Sequence, residues 1–306
     1  MNVREWALPI YTVLIQLSTG ILFFLCFIRL YFRKRIKLQN VDQVFSPYTL
    51  VVFVTIVTAI VGAHFHLSKP FLSLYALRNI GTSWLSREIL FTVLLFFSSL
   101  ALWVSCQFSS HDEKRKTALG FLSIFFGLAT VFCMTKIYLL PTQLLWNQPM
   151  TMVSYFSSVI ILGAITVPTL MVMDLKYGEL TENRFNEARN MILTRSYRLF
   201  SIIIAIMGLS SIITMIYFLV SMESLGDTAR VSYQLITSLY APLLVSRLLS
   251  MVIGIGFFIG IDIAVKRTGK NFQDFIMHSY TACLLIIISE ITARFLFYAT
   301  HVRIGI

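Results

Sequence analysis

An all-α, polytopic membrane protein of eight transmembrane helices is the fold class this sequence predicts, and three observations carry the prediction. Hydrophobic residues make up 57% of the chain and charged ones only 13%, well above the apolar share of a water-soluble domain. Apolar runs of about 20 residues, the length that crosses a bilayer, recur between short polar stretches. Hydrocarbon offers the backbone no hydrogen-bonding partner, so each run must satisfy its own amides as a helix.

Hydropathy places the helices near residues 7–32, 46–66, 86–108, 117–138, 151–173, 198–221, 232–264 and 274–299. Met1-Asn2-Val3-Arg4-Glu5-Trp6 leads straight into the first, which has a basic cluster after it, unlike a cleaved signal peptide, so this helix is expected to stay in the mature protein. A basic cluster, Arg33, Lys34, Arg35 and Lys37, follows it. Lys114, Arg115 and Lys116 follow the third helix. Lys176, Arg184, Arg189, Arg195 and Arg198 fall between the fifth and sixth, and Lys266, Arg267 and Lys270 between the seventh and eighth. The intervening connections hold only Lys69, Arg78 and Arg230, and the termini Arg4 and Arg303. The positive-inside rule therefore puts the basic connections in the cytoplasm and both termini outside. Leu180, Phe185, Ala188 and Ile192 form one helical stripe, which fits either an amphipathic helix lying on the cytoplasmic surface or a solvated connector. The expected organisation is a single integral membrane domain over 1–306, divisible into four-helix halves 1–150 and 151–306.

The net charge of +11 does not indicate nucleic-acid binding, because the basic residues occupy the gaps between apolar runs rather than one polar face. The four cysteines, Cys26, Cys106, Cys133 and Cys283, stand singly inside hydrophobic runs, so the chain has no ligand set for an iron–sulfur cluster. The five histidines, His64, His66, His111, His278 and His301, all lie away from the middle of a span, so no haem is expected.

Ionisable groups in or beside a span are costly and are therefore default candidates for function. Arg247, Asp262, Glu290 and Arg294 sit inside spans. Glu290 and Arg294 are four apart and are expected to pair. Arg247 is expected to reach Glu290 or Glu88, or to face a water-filled cavity. Gly256 and Gly260 have the spacing of a close helix contact. A second group, His64, His66, Lys69, Arg78, Arg87 and Glu88, clusters at the outer ends of the second and third helices. An imidazole and a carboxylate at the bilayer edge can bind a hydroxyl, accept its proton and release it to water. A solvated, idle pair is the plain alternative.

His66-Leu67-Ser68-Lys69-Pro70, Ala76-Leu77-Arg78-Asn79 and Ser83-Trp84-Leu85-Ser86-Arg87-Glu88 together resemble the membrane anchor of bacterial dimethyl sulfoxide reductase, the DmsC-type family. Ser68 stands where that pattern has glycine, a residue that reaches backbone conformations serine does not. The resemblance implies eight helices with both ends outside, in the inner membrane of a bacterium. It implies menaquinol binding and oxidation by His66 and Glu88, with Arg78, Arg87 and Lys69 as further quinol-binding candidates. It also implies no haem in the anchor, and partners on the periplasmic face: an iron–sulfur electron-transfer subunit and a molybdopterin catalytic subunit. Leu140, Pro141, Leu144, Leu145, Trp146 and Pro149, in a connection without Lys or Arg, are an outer-face candidate for docking that partner or admitting quinol, with burial in interfacial lipid as the alternative. Rival readings are a polysulfide-reductase-type anchor with another terminal acceptor and a secondary transporter, which would place its ionisable groups at the midplane of interrupted helices.

Overall fold

In a computed structural model the described residues are 3–32, 38–66, 70–108, 112–141, 143, 145–177, 186–224 and 226–299, without the side chains of 3–5, 38–40, 43, 66, 70–74, 186, 223, 224, 227 and 228. Among them the chain is all helix. The order is α1 (Val3–Phe32), α2 (Leu38–His66), a 3-10 segment (Pro70–Asn79), α3 (Trp84–Phe108), α4 (Glu113–Tyr138), α5 (Pro149–Tyr177), α6 (Asn186–Ser224), α7 (Asp227–Thr237), α8 (Ala241–Thr268), a short 3-10 turn (Phe272–Phe275) and α9 (Ile276–Ala299). Eight of these helical stretches are long and apolar enough to cross a membrane.

The core lies around α1 and α5, the two most enclosed spans. Their sequences explain why. α5 carries Ser157, Ser158, Gly163 and Ala164 along its buried face, and small residues let helix backbones approach where lipid offers no hydrophobic drive for association. Gly20 of α1 and Gly163 of α5 meet so closely that a Cβ on Gly20 would collide with the Val159 carbonyl oxygen, and one on Gly163 with the Gly20 backbone. α1 also packs on α2, α4 and α9. Trp6 near its start stacks on Phe295 near the end of α9, with ring centroids 4.5 Å apart, so the start of α1 and the end of α9 share one end of the bundle.

Two expectations are corrected here. The helix expected over 232–264 is two helices, α7 and α8, separated by a turn at residues 238–240. Pro242 in the first turn of α8 has no N–H to continue a helical ladder from α7. α7 buries Ala229, Ser232 and Ile236 and exposes Arg230 and Val231, so it lies as an amphipathic piece against the bundle. The stretch from 186 onward is no separate surface helix but the beginning of the 39-residue α6. Ala188, Ile192 and Tyr197 are buried, and Tyr197 stacks on Phe258 at 4.5 Å, so the stripe faces protein rather than the membrane surface. Leu180 and Phe185 lie outside the described residues.

Gly256 and Gly260 also depart from expectation. A Cβ on either would meet nothing, because they face outward into an open groove with Phe257 and His278 rather than against a neighbouring helix.

Candidate functional site: a buried carboxylate at the start of α3

Ser83 begins the site by capping α3, its Oγ accepting from the Ser86 N–H at 3.4 Å, the role hydroxyl residues play at helix N-termini. Ser86 Oγ donates to the Ala76 carbonyl at 2.6 Å, which ties the 3-10 segment to α3. Arg87 braces the turn between them, donating from Nε to Ile80 O at 2.8 Å and from Nη2 to Gly81 O at 2.7 Å while its guanidinium lies 4.3 Å above the Trp84 ring. Arg78 is exposed and stacks over Tyr75 at 4.7 Å. Both arginines thus shape the connection.

Glu88 turns inward, whereas Arg78 and Arg87 do not. It is buried, as are Tyr11 of α1 and Thr92 one turn along α3. The Tyr11 hydroxyl lies 3.1 Å from Thr92 Oγ1 and is within hydrogen-bonding reach of the Glu88 carboxyl. Thr92 Oγ1 in turn donates to the Glu88 backbone carbonyl at 2.8 Å. A carboxyl held among hydroxyls in this way can accept a hydrogen bond, and then a proton, from a hydroxyl ligand. His66 ends α2, which packs beside α3; its side chain and all of Lys69 lie outside the described residues. His64, two residues earlier, is exposed and makes a 2.7 Å contact from Nδ1 to Ile60 O.

Beyond Tyr11 the buried face becomes a hydroxyl network. Thr12 Oγ1 lies 3.0 Å from the Tyr298 hydroxyl, and Tyr298 lies 3.1 Å from the Tyr155 hydroxyl. The Arg294 guanidinium sits 3.7 Å over the Tyr155 ring, a favourable place for a cation. Arg294 donates to Ser158 Oγ at 2.8 Å and to Ser154 O at 3.1 Å, while Ser158 Oγ donates to Glu290 Oε2 at 2.5 Å. The expected Glu290–Arg294 ion pair is therefore absent among the described residues: Ser158 of α5 stands between the two charges and bridges them. Arg247 donates to Ser211 Oγ at 3.1 Å, feels Glu290 electrostatically and lines a cavity of about 60 Å³. That space is also lined by Trp146, Phe218 and Phe297, so the charge faces a small, mostly apolar chamber.

The 139–150 connection is partly tucked into the bundle. Leu145 and Trp146 are buried, Trp146 Nε1 donates to Phe297 O at 3.1 Å, and Leu140 is left exposed. Leu144 lies outside the described residues. No group of three or more His, Cys, Asp or Glu side chains capable of holding a metal ion occurs among the described residues.

Tyr11, Thr92, Tyr155 and Tyr298 escaped the sequence reading because hydroxyl-bearing residues inside an apolar run score as part of it. The signal available was Tyr11-Thr12, two hydroxyls side by side within a span.

A family model described as the DMSO reductase anchor subunit (DmsC) matches residues 1–300 of the chain. The chain is also similar to the anaerobic dimethyl sulfoxide reductase chain YnfH of Escherichia coli strain K12, at 24% identity over 306 residues, covering 99% of this chain and 96% of that one.

Proposed function

The chain belongs to the DMSO reductase anchor subunit (DmsC) family, and from that membership we propose that it binds menaquinol beside Glu88, oxidises it and passes the electrons to an iron–sulfur partner subunit. The observation that carries this reading is the buried Glu88 carboxyl, faced by the Tyr11 hydroxyl, which Thr92 in turn positions, at the end of the bundle where α3 begins.

Oxidation of a quinol to a quinone releases two protons and two electrons. Glu88 accepts one proton from a quinol hydroxyl, Tyr11 orients its carboxyl, and Thr92 positions the Tyr11 hydroxyl. His66, at the end of α2, is the acceptor for the other hydroxyl, since an imidazole exchanges protons near neutral pH. Arg78 and Arg87 act at one remove by fixing the turn that carries α3, and Lys69 belongs to the same connection. The two electrons leave to clusters in the partner, which delivers them to a molybdopterin catalytic subunit. With the basic connections in the cytoplasm, this end of the bundle and both partners face the periplasm across the inner membrane.

The test is the assembled complex carrying Glu88→Gln or His66→Phe. Glutamine keeps hydrogen-bonding capacity but cannot take a proton at neutral pH. Quinol-dependent turnover should fall by on the order of 10²-fold or more, while an artificial donor that feeds the partner's clusters directly still supports reduction. Wild-type quinol oxidation by both variants, in complexes of normal composition, would place the site elsewhere.

A further inference from the structure

At the opposite end of the bundle from the Trp6–Phe295 stack, three charged side chains meet beneath the ends of α1, α2 and α4. Arg29 clamps Asp42 with two hydrogen bonds, Nε to Oδ1 at 2.5 Å and Nη2 to Oδ2 at 3.1 Å. Its remaining donors go to the Thr117 hydroxyl and, at 3.3 Å, to the Glu113 carbonyl. Lys116 approaches the same Asp42 at 3.5 Å. Two cations and one anion leave this cluster one positive charge in excess.

Lys116 is the unusual member. Its side chain is 6% exposed, yet among the described residues its ammonium has one distant ion-pair partner for three N–H donors. It opens into a cavity of about 50 Å³ shared with Arg29, Thr117 and Ser46. The space continues along apolar walls that include Leu25, Phe45 and Phe121. A buried cation with unspent donors is costly unless an acceptor reaches it, and the excess charge selects an anionic acceptor over water.

Depth narrows the ligand. Arg29 is in the last turn of α1 and Lys116 three residues after the start of α4, roughly 5 Å inside the helix ends at 1.5 Å per residue. Asp42 precedes the membrane-spanning part of α2. This is the level of phospholipid headgroups, with an apolar slot running below it toward the acyl chains. The connection above carries Arg33, Lys34, Arg35 and Lys37 in sequence, so anionic lipid is concentrated at this face. We propose that the Lys116–Arg29 cavity is a binding site for the phosphodiester headgroup of an anionic phospholipid. The site is independent of the quinol reading, since it lies at the other end of the bundle from Glu88.

The test uses the full chain in nanodiscs of phosphatidylcholine alone, of phosphatidylcholine with phosphatidylglycerol, and of phosphatidylcholine with added inorganic phosphate. Phosphatidylglycerol should raise the melting temperature of the wild type by a linkage effect, and Lys116→Gln should lose most of that rise. Arg195→Gln, at an exposed basic position in α6, should keep it, as should Lys116→Arg. Native mass spectrometry should show a tightly retained phosphatidylglycerol on the wild type that is depleted severalfold on Lys116→Gln. No rise in the wild type, an equal rise in Lys116→Gln, or an equal rise with inorganic phosphate would each overturn the assignment. Should Lys116→Gln fail to fold, the wild-type series and the Lys116→Arg comparison still decide it.

Discussion

The phenol of Tyr11 on α1 reaches across to Thr92 on α3 at 3.1 Å, and in doing so faces the Glu88 carboxyl. Two helices far apart in sequence thereby fix one acid. Tyr11→Phe keeps the ring and removes only the hydroxyl, so the complex should assemble normally. Quinol-dependent turnover should drop about tenfold, the scale of a lost hydrogen bond to a charged group, with the artificial-donor rate unchanged. Equal loss of both rates would mean that Tyr11 serves packing alone.

Ser158 separates Glu290 from Arg294 while bonding to both. Removing either charge unbalances a buried cluster that also contains Arg247, a change that costs about 3–5 kcal/mol. Glu290→Gln and Arg294→Met should each lower the melting temperature of the purified complex sharply, and the double variant should recover part of the loss. If the effects of the two single changes simply add in the double variant, the two side chains are not coupled through Ser158.

Gly163 and Gly256 look alike in sequence and should behave oppositely. Gly163→Leu forces α1 and α5 apart at their tightest point and should abolish assembly, whereas Gly256→Leu projects into open space and should leave the isolated chain's yield and melting temperature unchanged. Yield of folded chain in detergent, read by size-exclusion chromatography, separates the cases.

Reporter fusions at residues 38, 115, 185 and 269 should read cytoplasm, and those at 75, 145, 226 and the C-terminus the opposite side. The Trp6–Phe295 stack requires the start of α1 and the end of α9 to share a side. A fusion at 38 that reports the same compartment as the C-terminus would break the orientation drawn from the basic connections.

The eight spans were legible because bilayer thickness writes itself into the chain as apolar runs. What hydropathy does not encode is where a helix breaks or which way a face turns. The run over 232–264 is apolar enough on average to pass for one span, so hydropathy did not mark the turn at 238–240 or the break at Pro242. The spacing of Glu290 and Arg294 said the two could meet on one helix face, but not that α5 would insert a serine between them. Gly256 and Gly260 had contact spacing and no contact, since periodicity gives a stripe without its direction. At the candidate site, Glu88 could be singled out as a costly carboxylate beside a span, whereas Tyr11 came from a helix about 80 residues away whose proximity only folding creates.

The central place of α1 has a consequence for the order in which the molecule is built. α1 meets α2 and α4 soon after it is made, but its closest backbone contact, Gly163 of α5, is synthesised only later, and its stacking partner Phe295 belongs to the last turns of α9. Until then the Gly20 face of α1 waits in the bilayer without its partner. Biogenesis of this protein therefore depends on the Gly20 face of α1 remaining unpaired until α5 is synthesised, and conditions that stall synthesis before α5 should expose that face to membrane proteases.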